Sequence, residues 1–72
     1  MIYNCLMFSK RLREIRIERG FSQASLAKEL GVTKQNISDW ENGKSETNFE
    51  MVARIANFFQ VTAGQLIGTE EY

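Results

Sequence analysis

Histidine and proline are missing from this chain, and cysteine occurs once. Without histidine there is no imidazole to serve as general base for a serine or cysteine nucleophile, and one cysteine completes no Cys/His zinc site. Cys5 has no partner for an intrachain disulfide; beside Leu6 and Met7 it reads as a small buried hydrophobe rather than a reactive thiol. Long apolar runs are also missing, so no segment suits a bilayer. A secretory leader is not expected: MIYNCLMF carries no positive charge ahead of its apolar residues and no small-residue cleavage site after them. With 72 residues, no metal cluster and no phosphate-cradling glycine loop, neither an enzyme nor a cofactor or metal site is expected. The absence of disulfides fits a reducing, cytoplasmic setting.

What is present is charge, unevenly placed. Nine basic and nine acidic residues cancel over the whole chain. Residues 9–44, however, carry Lys10, Arg11, Arg13, Arg16, Arg19, Lys28, Lys34 and Lys44 against Glu14, Glu18, Glu29, Asp39 and Glu41, a surplus of three positive charges. Residues 45–72 hold Arg54 against Glu46, Glu50, Glu70 and Glu71. A basic first part followed by an acidic last part leaves room for an anionic partner despite the zero sum.

Apolar residues recur at helical spacing and no segment alternates cleanly, which predicts an all-α domain. The first helix is expected from about Ser9 to Arg19, with Phe8, Leu12 and Ile15 on one stripe, Ile17 off it, and Gly20 as left-handed cap. A second helix starts at Ser22, with Phe21 and Leu26 placed as a hydrophobic staple, and ends near Leu30 before Gly31. Thr33 caps a third helix closed by Asn42 and Gly43. Thr47 and Glu50 form a capping box for a fourth, whose buried face is expected to hold Phe49, Val52, Ile55, Ala56 and Phe59; Thr62 and Gln65 open a short fifth. The domain is expected over residues 8–68, with an apolar arm at 1–7 and an acidic tail at 69–72. Nothing upstream is needed to begin the first helix at Phe8, so Met7 is a candidate start.

Residues 22–43, SQASLAKELGVTKQNISDWENG, make two short helices joined by a glycine-containing turn, a helix-turn-helix. Ala27 permits close crossing, and Leu26, Leu30, Val32, Ile37 and Trp40 fill the space between the helices. With Val32, Ile37 and Trp40 inward, Lys34, Gln35, Ser38 and Asp39 point out and Asn36 flanks them. Gln35 can pair bidentately with adenine, Lys34 can donate to guanine O6 and N7, and Asp39 can accept from cytosine N4 while repelling phosphate. The chemistry is that of base readout in the major groove. Trp40 is read as core rather than as a stacking platform.

Together with FSKRLREIR, LAKELGV, IS.WENGK and VARIANFF..T..QLIG, this segment resembles the phage-repressor and Cro (XRE) type of helix-turn-helix regulators over roughly residues 8–68. The resemblance implies a compact, lambda-repressor-like five-helix bundle, a third helix in the major groove of double-stranded DNA, and a role in transcription regulation, as a repressor. It also implies backbone-holding positions at Gln23, Asn42 and Lys44, with Thr33 counted beside them, and an ion pair between Arg16 and Glu41. The chain departs from the pattern at Thr47, where proline is frequent, and at Gln60, where glycine or asparagine is usual; the latter implies a glutamine at strained φ or a different cap. A homodimer on a near-palindromic operator is expected, through the acidic C-terminal part, with Met51, Phe58 and Val61 as its contact residues and the apolar arm as a further contributor. The competing class is a protein-interaction module, an antitoxin or adaptor holding a partner such as a toxin with little DNA binding of its own.

Overall fold

The local signals become five helices in the computed structural model, which describes residues 5–72: α1 (Cys5–Glu18), α2 (Gln23–Leu30), α3 (Lys34–Glu41), α4 (Phe49–Phe59) and α5 (Ala63–Ile67). Four begin at a polar residue in extended backbone whose side chain accepts a hydrogen bond from the third helical N–H: Ser22, Thr33, Asn48 and Thr62. At α2, α3 and α5 the bond is reciprocated by Ser25, Asn36 and Gln65, so two otherwise orphaned donors are satisfied per terminus.

Three details differ from the sequence expectation. Helix α1 starts at Cys5 rather than Ser9, because Leu6 and Met7 carry no helix breaker and Ser9 is committed elsewhere. The Ser9 side chain is buried and its Oγ donates to the Trp40 carbonyl at 2.5 Å, tying α1 to the end of α3. Residues 5–7, expected in the arm, therefore belong to α1. The rest of that arm, residues 1–4, and the expected burial of the Cys5 thiol lie outside the described residues.

Helix α4 is capped by Asn48, not Thr47: Asn48 Oδ1 accepts from the Met51 N–H at 2.8 Å, which shifts Glu50 into the first turn. Phe49 thereby becomes the first helical residue and overhangs the end of the core, 55% exposed, although its spacing matches the buried stripe. Gln60 takes the left-handed conformation (φ 58°), the first of the two alternatives its position implied. The Val61 N–H closes the cap on the Ala56 carbonyl at 2.9 Å.

Each helix contributes a short apolar stripe to one core: Phe8, Leu12 and Ile15; Leu26, Ala27 and Leu30; Ile37 and Trp40; Val52, Ile55, Ala56 and Phe59; Leu66 and Ile67. Helix α2 packs on α3, α1 spans α3 and α5, and α4 packs on α5. Gly68 closes α5 at φ 88°, and a Cβ there would lie 2.8 Å from the Met7 Cβ, so α1 and the end of α5 approach too closely for any side chain. No strand occurs among the described residues, and none of their helices is long and apolar enough to cross a membrane.

Candidate nucleic-acid interface

The α2–α3 unit is held by its inner surface. Gly31 (φ 71°) turns the chain, the Val32 N–H returns to the Ala27 carbonyl at 3.0 Å, and Thr33 starts α3. Ile37 and Trp40 are buried, which fixes the rotation of α3 about its axis and turns the opposite face outward. On that outer face Lys34 and Gln35 are exposed, while Ser38 and Asp39 are half-buried. Gln35 Nε2 donates to Asp39 Oδ1 at 2.8 Å, one helical turn away.

Asn36 and Thr33 are engaged with each other. Thr33 Oγ1 accepts from the Asn36 N–H at 3.0 Å and Asn36 Oδ1 accepts from the Thr33 N–H at 3.1 Å, so both side-chain oxygens serve the helix start. At the other end, Asn42 Nδ2 donates to Ser38 Oγ at 3.3 Å, and Lys44 is exposed just past Gly43.

The inner end of α3 carries a charged network. Arg16 Nε reaches Glu41 Oε2 at 2.5 Å and Arg16 Nη2 reaches Glu41 Oε1 at 3.0 Å, a bidentate pair, while Arg16 Nη1 donates to the Phe21 carbonyl at 2.8 Å. The two side chains are 11% and 3% exposed. Gln23 Nε2 adds a third hydrogen bond to Glu41, at 3.1 Å. One carboxylate thus fixes α1 and the first turn of α2 against the end of α3. Gln23 is the first residue of α2, whose N-terminal N–H groups favour an anion.

Sequence reasoning did not find what the remaining arginines do. Arg19 Nη1 donates to the Phe59 carbonyl and Arg54 Nη2 to the Leu30 carbonyl, both at 2.8 Å, so each cation sits on the last carbonyl of another helix, where the helix dipole favours it. Arg11 Nη1 donates to the Gln65 carbonyl at 2.7 Å, with its guanidinium over the Tyr72 ring. The Tyr72 hydroxyl donates to Glu18, and that hydrogen bond to a carboxylate, with slight desolvation, raises the phenol above its ordinary value. Of the basic residues between 10 and 19, Arg11, Arg16 and Arg19 are engaged within the fold, which leaves Lys10 and Arg13 on the exposed surface of α1. No local pattern marks these contacts.

Met51, Phe58 and Val61 are half-buried against the core. Phe58 sits edge-on to Phe21 and Phe59, with ring centroids 5.4 and 5.1 Å away. Their inner atoms are second-layer core, and only their outer edges face solvent. No group of three or more Asp, Glu, Cys or His capable of holding a metal occurs among the described residues.

Known proteins share this arrangement. A family described as Helix-turn-helix matches residues 12–66. The HTH-type transcriptional activator BcrR of Enterococcus faecalis is 38% identical over 64 residues, 89% of this chain and 31% of that protein. The cryptic phage CTXphi transcriptional repressor RstR of Vibrio cholerae is 32% identical over 65 residues, 90% of this chain and 59% of its own length. The chain therefore spans less than two thirds of both relatives. Among solved structures, hydroxypropylphosphonic acid epoxidase from S. wedmorenis superposes with a TM-score of 0.82 at 28% identity, over 93% of this chain but 36% of the enzyme. A hypothetical transcription factor from Neisseria matches with a TM-score of 0.82 at 23% identity, over 89% of this chain and 74% of that one, a likeness of fold. The turn at Gly31, the two capped helices around it and a match over most of the length converge: this chain belongs to the XRE-type helix-turn-helix family of transcriptional regulators.

Proposed function

We propose that this domain represses transcription by binding a specific double-stranded DNA site, with α3 in the major groove. The observation that carries the reading is the outer face of α3, where Lys34 and Gln35 in the first turn stand with Ser38 and Asp39 one turn on, on a helix whose opposite face is clamped by Ile37 and Trp40. Lys34 and Gln35 offer the donors and the acceptor that purine edges require. Asn42 and Lys44 just past α3, and Gln23 at the start of α2, are the residues assigned to the phosphate backbone, with the exposed Thr33 and Asn36 at the start of α3 beside them.

A single unit offers few base contacts, so we assign the working form as a homodimer on two half-sites about 34 Å apart, meeting through the outer edges of Met51, Phe58 and Val61. The work is binding rather than catalysis, in the cytoplasm where the DNA is. The likeness to an epoxidase reaches only 36% of that enzyme.

Selection of bound sequences from a random duplex pool, followed by titration of the best site and a scrambled one across salt, tests the reading. Tight, sequence-dependent binding over a weaker, steeply salt-dependent background is expected. The absence of any shift at low salt, together with a stable complex with another protein, would overturn it in favour of an antitoxin or adaptor.

A further inference from the structure

We infer that Asp39 is a positioning residue: it takes one amide hydrogen of Gln35, and so commits Gln35 to reading adenine rather than guanine. The inference rests on the DNA-reading assignment of α3 above and reassigns Asp39 from a base contact to a partner of one.

The argument begins with what an unrestrained glutamine can do. Its carboxamide offers two N–H donors and one acceptor, and rotation about the terminal bond exchanges them at little cost. Facing adenine, which presents the N7 acceptor beside the N6 donor, it uses one N–H and the oxygen. Facing guanine, which presents the N7 and O6 acceptors side by side, it can turn its nitrogen inward and donate to either. A freely rotating Gln35 therefore discriminates poorly between the two purines.

The structure removes that freedom. Gln35 and Asp39 are one turn apart on the outer face of α3, and Nε2 donates to Asp39 Oδ1 at 2.8 Å. A carboxylate without a proton is an acceptor only, so it can hold the nitrogen end of the amide and cannot hold the oxygen end. The nitrogen is fixed on the Asp39 side, one of its hydrogens is consumed, and one N–H and Oε1 remain for a base. That remainder is a donor beside an acceptor, the complement of adenine. The same carboxylate adds negative charge beside the edge where guanine O6 would stand, which penalises the alternative.

Asp39 is also placed to act through Gln35 rather than alone. It is half-buried in the C-terminal half of α3, whereas Gln35 is exposed one turn nearer the N-terminal end, the part of a recognition helix that reaches base edges. Its backbone carbonyl accepts from the Lys44 N–H at 2.9 Å in the turn that ends the helix, so the residue sits on fixed backbone.

The test is a double-mutant cycle read as base preference. Wild type, Asp39→Ala, Asp39→Asn, Gln35→Ala and the Gln35→Ala/Asp39→Ala double variant are titrated on the selected duplex and on the duplex with adenine replaced by guanine at the position that Gln35→Ala affects. Binding to a scrambled duplex and a thermal melt are recorded for each. Asp39→Ala should reduce the adenine-over-guanine preference about tenfold with the melt near wild type, while the lost negative charge raises affinity for the selected, guanine-substituted and scrambled duplexes alike. Asp39→Asn, whose amide is neutral and can hold either end of the Gln35 carboxamide, should lose most of the preference as well, and in the Gln35→Ala background the loss of Asp39 should change it no further. A preference unchanged in Asp39→Ala, or a further loss at a base in the double variant, overturns the positioning role and leaves the DNA-reading assignment standing. A wild type without sequence preference overturns both.

Discussion

Helix α3 carries two polar pairs under opposite conditions. At its inner end Glu41, 3% exposed, is held by Arg16 and Gln23; on its outer face Asp39 holds Gln35 in contact with water. Both are carboxylates accepting from nitrogen, yet only the first is structural. Removing water makes the Arg16–Glu41 pair indispensable once formed, because either partner alone would be a buried, uncompensated charge. Leaving water in place makes the Gln35–Asp39 pair nearly neutral for folding, and so available to a ligand. One helix thereby anchors the fold at its inner end and, on the proposed reading, presents its outer face to DNA.

The sharpest break of this comparison is at the inner pair. Glu41→Ala should destabilise the fold by about 3–5 kcal/mol, a large share of the stability of a domain of this size, as read by chemical denaturation. Replacing Arg16 and Glu41 together by methionine should recover most of that loss. A single Glu41→Ala that costs under about 1 kcal/mol would show that the inner pair is as solvated as the outer one.

On the outer face the effect should move from folding to binding. Gln35→Ala is expected to cost about 1–3 kcal/mol on the selected site and little on random duplex, with stability changed by less than about 0.5 kcal/mol. Equal losses on both duplexes would remove Gln35 from the readers.

Two smaller effects sharpen the contrast away from α3. Gln60→Gly should raise stability by about 1 kcal/mol, since glycine adopts φ 58° without the Cβ penalty, and the melting temperature should rise by roughly 4–8 °C. Asn48→Ala should cost about 1 kcal/mol as loss of a helix cap, whereas Thr47→Ala should have almost no effect. The reverse order would return the α4 cap to Thr47.

The limits of sequence reading follow the same division between local and distant. The starts of α2, α3 and α5 were legible because Ser22, Thr33 and Thr62 bond to groups three residues away, a contact the chain makes almost regardless of what surrounds it. The rotation of α3 was legible too, since the spacing of Ile37 and Trp40 decides which face is inward, and the outward set of candidate readers follows from that phase alone. Where two neighbours compete for one role, as Thr47 and Asn48 do, local chemistry permits both; the path of the preceding loop decides.

The sequence by itself determined the helices, their turns and which face of α3 turns outward, because those depend on hydrogen bonds and periodicities spanning a few residues. Only the tertiary structure decided how the charges are used. Arg19 meets a carbonyl 40 residues away and Arg54 one 24 residues away, and Ser9 is buried against Trp40 across 31 residues. An arginine on an exposed helix and one that caps a neighbouring helix have the same local surroundings in sequence. What separates them is which carbonyl the packed core brings within reach.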